Sequence, residues 1–323
     1  LGLLIGTSVG FQLVAIVWTF LITGTLDFTP AGILEGKIDP TLLPILLALY
    51  MFGIGKAALM PFHRWLPSAM VAPTPVSALL HAVAVVKAGV FTVLKVVVYI
   101  FGIDFLSSTG ASTWLIWAAS FTLLASSLIA LSKDNLKARL AYSTVSQLSY
   151  IVLAAALATK LSILGAGLHI ATHALGKITL FMCAGAIYVA THKTEISDMD
   201  GLGRVMPFTF IAFAIGAFSI IGLPPFAGIW SKWYMALGAA NLELFMVIAV
   251  YMVSSLLNVG YLMPVVARAF FKPLPQQLQA SGSKSLSEAP LLCVIPLCIT
   301  ALGCFVLFFF AGEVIDLLRP IVN

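Results

Sequence analysis

Seven basic side chains stand inside long apolar stretches of this sequence: Lys56, His81, Lys87, His169, His173, Lys177 and Lys232. An ionisable group deep in hydrocarbon costs about 3 kcal/mol on insertion scales, so such groups usually mark ion paths. Burial without a counter-charge penalises an ammonium, and imidazole exchanges protons near neutral pH, so both types suit proton transfer. His169, His173 and Lys177 repeat at i, i+4 and i+8. That spacing lines one helix face over roughly 12 Å at 1.5 Å per residue. His81 and Lys87 are six residues apart, off-face in a regular helix, and border one cavity only if their helix is irregular or packs against a broken one. Histidines that merely hydrogen-bond their core neighbours are the structural alternative. Lys95, nearer a span boundary, is expected to snorkel.

All 12 acidic residues fall in connecting segments or near helix ends, and none at mid-span. Buried ammonium groups without a counter-charge are costly, so an acid is expected from an N-terminal segment or an adjacent subunit. Two histidines without a buried carboxylate or paired cysteine make a poor metal-ligand set, so neither metal nor cofactor is expected. Cys183, Cys293, Cys298 and Cys304 lack ligand spacing and are expected to act as small hydrophobes. No nucleophile motif, phosphate loop or dinucleotide fingerprint occurs, which leaves catalytic residues at none.

The elements that position these groups follow from composition. Of 323 residues, 61% are hydrophobic and 9% charged, against about a quarter charged in a soluble domain. A soluble fold is excluded. The net charge of +5 is scattered rather than clustered, so nucleic acid is not an expected partner. Nine apolar runs, about 1–23, 41–70, 76–101, 113–132, 139–158, 162–190, 206–240, 244–268 and 289–312, predict membrane-spanning helices. They are too long for barrel strands and show no alternation. The predicted fold is an all-α integral membrane bundle forming one domain over 1–323. Two runs are interrupted by proline: Lys56 precedes Pro61 in the first, and Lys232 follows Pro224 and Pro225 in the second. A broken helix with a lysine beside it, once in each half, points to a transporter built of repeats. Lysine and arginine concentrate near 61–75, 132–139, 191–205 and 268–288, which places those segments on the cytoplasmic side.

The stretch GKAALMPFHRWLPSAMVAPTPVSALLHAVAVVKAG, residues 55–89, resembles the antiporter-like subunits of respiratory complex I, Mrp-type sodium/proton antiporters and membrane-bound hydrogenases. Similar segments follow in order: DNLKARLAYSTVSQLSY at 134–150, HIATHALGKITLFMCAGAI at 169–187, GLPPFAGIWSKWY at 222–234 and SSLLNVGYLMPVVARAFF at 254–271. The resemblance implies two inverted five-helix repeats, each with one broken helix, and a proton route along central lysines and histidines. Lys56 matches the lysine of the first broken helix and Lys232 the charged residue of the second. His81, Lys87, His169, His173 and Lys177 match intervening members. VVKAG around Lys87 and SKW at Lys232 look more like the D-type component of Mrp antiporters, or its hydrogenase relative, than the largest complex I subunit. The second repeat is expected at about 113–268 and the first to be incomplete, because the family's paired glutamate lies on a preceding helix without a counterpart here. A partial sequence starting at the sixth family helix is therefore expected.

The function expected is proton translocation within a multisubunit complex of the cell inner membrane, either a cation/proton antiporter or a redox-driven proton pump such as NADH:quinone oxidoreductase. Its expected partners are other membrane subunits, protons, sodium in the antiporter case, and membrane lipid. A stand-alone solute carrier holding an organic substrate at the broken helices, and a scaffolding subunit with relict lysines, are the rivals. Function of the isolated chain would favour the carrier, and tolerance of neutral replacements the scaffold.

Overall fold

The computed structural model describes residues 2–274 and 288–322, apart from the side chain of His81. Lys284, counted above with the cytoplasmic set, lies outside the described residues. The described chain is an all-α bundle, as expected. Among these residues, six helices are long and apolar enough to cross a membrane: Gly2–Thr23, Thr113–Ser132, Leu136–Leu157, Lys160–Thr191, Phe245–Phe271 and Leu291–Phe309. A seventh crossing arises if Val85–Phe101 and Ile103–Thr109, bent by 80° at Gly102, count as one span.

Nine apolar runs thus give six uninterrupted crossings, because three of the runs are broken. The run 41–70 divides into helix Leu43–Gly53, a 3-10 turn Gly55–Ala57 and a short helix Trp65–Ser68. The run 206–240 divides into Pro207–Ile221 and Gly228–Ala240, with Gly222 at φ 90° ending the first half. Proline at 224 and 225 withholds the amides that would continue a helix. The run 76–101 is irregular: Thr74–Ala78 passes into a π-helical segment Leu79–Val83 before Val85 restarts regular helix. A π turn shifts the helix phase, so a six-residue spacing across it no longer fixes which sides His81 and Lys87 occupy.

Two helices organise the interior. Leu136–Leu157 is almost wholly enclosed by its neighbours, and its polar positions therefore point into protein rather than lipid. Lys160–Thr191 runs 32 residues, about 48 Å, and packs against Gly228–Ala240, Pro207–Ile221, Leu136–Leu157 and Leu291–Phe309. Its start is fixed by reciprocal bonds between Thr159 and Ser162, which satisfy amides a helix N-terminus otherwise leaves open. Close approach to Gly228–Ala240 depends on Gly165, where a Cβ would stand 2.8 Å from the Met235 amide nitrogen. Gly89 plays the same part for the first break, since a Cβ there would stand 2.8 Å from the Lys56 Cβ.

Candidate functional site

The long helix brings His169, His173 and Lys177 onto one buried face, with fractional exposures of 2%, 1% and 0%. Lys87, 7% exposed, reaches that face from Val85–Phe101, and its Nζ is hydrogen-bonded to His173 Nδ1. One hydrogen bond serves both protonation states of this pair. An ammonium donates to the imidazole nitrogen, and after transfer the imidazolium donates back to the amine. His173 and His169 stack with ring centroids 5.8 Å apart.

His169 has polar partners on both nitrogens. Nε2 lies 3.1 Å from Gln147 Oε1, which can only accept, so Nε2 carries the proton. Nδ1 lies 2.8 Å from Ser231 Oγ, and Ser231 also reaches the Gly228 carbonyl at 3.0 Å. The serine hydroxyl can therefore donate to a neutral His169, or accept from a charged one while donating to Gly228.

Lys232 sits half-buried one turn into Gly228–Ala240. Its ammonium donates to the Ile221 carbonyl at 2.9 Å and to Ser255 Oγ at 3.0 Å, and lies 4.9 Å from the Tyr150 ring centroid. Ile221 is the last residue of Pro207–Ile221, so its carbonyl is one that the break deprives of a helical partner. The break thus supplies both the acceptor and the partial negative charge that hold the lysine. Tyr150 in turn stacks on His169 at 5.7 Å.

Asn258 joins these groups. Oriented to satisfy all its neighbours, its amide oxygen accepts from Gln147 Nε2 at 3.0 Å and Lys232 Nζ at 3.3 Å, while its nitrogen donates to the Tyr261 hydroxyl at 2.6 Å. Tyr261 lies 2.8 Å from Ser143 Oγ, and Ser143 accepts from Lys177 Nζ at 2.6 Å. Lys177 also donates to the Leu140 carbonyl at 3.3 Å. The result is two hydrogen-bonded groups, Lys87–His173 and the set running from His169 to Lys232 and Lys177, which meet where His173 and His169 stack.

The structure brings together Lys87, His169, His173, Lys177 and Lys232 and leaves Lys56 apart. Lys56 is exposed, and among the described residues its ammonium forms no ion pair. Its backbone lies against Gly89. The expectation of a buried Lys56 therefore does not hold in this chain alone. The side chain of His81 lies outside the described residues. Pro61, Pro224 and Pro225 occupy the breaks, and the Met60–Pro61 and Pro224–Pro225 bonds are cis. Lys95 places its ammonium 3.9 Å from the Phe28 ring centroid.

Reasoning from ionisable groups overlooked the uncharged links: Ser143, Gln147, Tyr150, Ser231, Ser255, Asn258 and Tyr261. A signal for them exists. Ser143, Gln147 and Tyr150 repeat at i, i+4 and i+7 within an apolar run, as do Ser254, Asn258 and Tyr261. Polar stripes at helical spacing inside two spans face inward for the same reason the lysines do. Among the described residues no carboxylate joins the network, and the ion pairs are Arg268–Asp200, Lys272–Asp200 and Arg319–Asp316.

Known proteins bear on this arrangement. A family profile described as NADH:quinone oxidoreductase/Mrp antiporter, TM, matches residues 1–258. NADH-quinone oxidoreductase subunit N of Desulforudis audaxviator (strain MP104C) is 33% identical over 326 aligned residues, which cover 97% of this chain and 64% of that protein. In the Mrp complex from Dietzia sp. DQ12-45-1b, one chain superposes with a TM-score of 0.83 at 21% identity, a likeness of fold, over 99% of this chain and 66% of that one. A chain of the membrane-bound sulfane sulfur reductase, an archaeal respiratory membrane complex, also gives 0.83, at 26% identity over 98% and 64%. The chain therefore spans under two thirds of the length of each of these relatives.

Proposed function

The chain belongs to the NADH:quinone oxidoreductase/Mrp antiporter transmembrane family, and on that premise we propose that it carries protons through a multisubunit complex of the cell inner membrane. One observation supports this above others: the buried Lys87–His173 pair stacks on His169, and hydrogen bonds continue from His169 through Gln147 and Asn258 to Lys232. No covalent chemistry is needed. A proton arriving at Lys87 passes to His173 along their shared hydrogen bond. It reaches His169 by water beside the stacked rings, and Ser231 reorients to accept the new charge. Water carries it on to Lys232 at the second break, where the Ile221 carbonyl and Ser255 stabilise the ammonium.

Electrostatics imposes order on these steps. Three lysines and two histidines with no carboxylate among them repel one another when charged. Charging one site disfavours charge at the next, so protons advance in sequence and the sites titrate as a coupled set. Gln147 and Asn258 hold the branches in place without relaying, because a carboxamide cannot readily give up and regain a proton. Lys177, joined through the hydroxyls of Ser143 and Tyr261, forms a second branch. Lys56 acts in this scheme only if a group outside this chain supplies its counter-charge, and Pro61, Pro224 and Pro225 serve by keeping both helices open. We further propose that residues 113–268 form one five-helix repeat with the broken helix fourth.

The test is proton translocation by inverted membrane vesicles carrying the assembled complex. Lys87→Ala and Lys232→Ala should each slow it about a hundredfold or more, the usual weight of a positioned proton-transfer group, with subunit composition unchanged. Translocation at the parental rate in both variants would contradict the proposal.

A further inference from the structure

A cavity of about 770 Å³ lies apart from the lysine–histidine network, between segment 71–79, the second half of the long helix and the start of Leu291–Phe309. Its two ends differ in chemistry. Lys137 and Lys193 line one end, and the other is walled by apolar groups including Leu79, Ile178, Met182 and Pro296. From Thr191, just before Lys193, to Ile178 is thirteen residues along the Lys160–Thr191 helix, roughly 20 Å. That depth exceeds one leaflet of a hydrocarbon core of roughly 30 Å, leaving the lysines at headgroup level.

Both lysines have donor capacity to spare. Lys137 Nζ donates to the Ala72 carbonyl at 2.9 Å and Lys193 Nζ to the Asp198 carbonyl at 2.6 Å. Each ammonium has three N–H groups, and among the described residues neither lysine forms an ion pair. Neighbouring carboxylates are engaged elsewhere: Glu195 accepts from Asn135 and Thr194, and Asp134 from Ser197. Two lysines without an ion-pair partner among the described residues, above an apolar slot one leaflet deep, suit an amphiphile with an anionic head.

We propose that this cavity binds one anionic phospholipid, its phosphate held between Lys137 and Lys193 and an acyl chain running down toward Ile178. The lysines also belong to the segments that the charge count puts on the cytoplasmic side, where anionic lipids attract basic pockets between helices.

Native mass spectrometry of the purified complex, delipidated and then offered phosphatidylglycerol or phosphatidylcholine of matched chains, tests this. The parental complex should retain one phosphatidylglycerol per copy of this chain in preference to phosphatidylcholine. Lys137→Gln/Lys193→Gln should weaken that retention at least about tenfold, equivalent to about 1.4 kcal/mol, in a complex of unchanged composition and Tm. Ile178→Trp, which fills the deep end, should weaken it with the lysines intact. Equal retention of the two lipids, equal retention by the parental complex and the double variant, or a partner's helix occupying the slot would each overturn the proposal.

Discussion

At the residue scale, the protein solves one problem repeatedly: keeping a basic group in a hydrophobic interior without a carboxylate beside it. Lys232 uses a carbonyl freed by a helix break, Lys177 a serine and a backbone carbonyl, and Lys87 a histidine. None of these acceptors carries a formal charge, so each ammonium is held while staying free to lose its proton. The amides of Gln147 and Asn258 matter differently, since each touches both sides of the network. Gln147→Leu should strand His169 Nε2, costing about 1–3 kcal/mol for the unmet group, and leave the Asn258 oxygen to Lys232 alone. Thermal unfolding of the purified complex checks this, and an unshifted Tm would show that the Gln147 amide does not bear on the fold. Asn258 and Gln147 carry no charge and sit in runs that hydropathy reads simply as spans, which is why ionisable residues alone did not reveal them.

At the element scale, the two breaks behave unlike each other. Both were legible from proline, and both interrupt helix where expected. Their lysines were expected to match, yet Lys232 turns inward onto the network and Lys56 turns outward. The sequence records a proline and a lysine; it does not record which way a 3-10 turn presents its side chain once the backbone lies against Gly89. The irregular stretch at Leu79–Val83 was equally invisible, because a π turn changes phase without changing composition. The close contact of the long helix with Gly228–Ala240 carries the site, since it brings Ser231 against His169. Gly165→Leu would drive a side chain into the Met235 backbone and should destabilise the complex by about 1–3 kcal/mol by overpacking. Proton translocation should fall with it, because Ser231 moves away from His169. Parental stability and flux in that variant would mean the helices are not held at this separation.

At the scale of the whole molecule, fold class, spans and the His169–His173–Lys177 face could be read from composition and period, because a membrane helix must satisfy its own backbone and hide its charges. The joining of Lys87 to His173 could not, since 86 residues separate them and only packing of two helices brings them together. The network's path requires mobile protons between rings that stack without a direct hydrogen bond, and so requires water. An electron density map of the assembled complex, sharp enough to place ordered water, examines that requirement directly. The account predicts water bridging His173, His169 and Lys232 in one connected file. Rings and ammonium groups sealed in dry, separate pockets would contradict it.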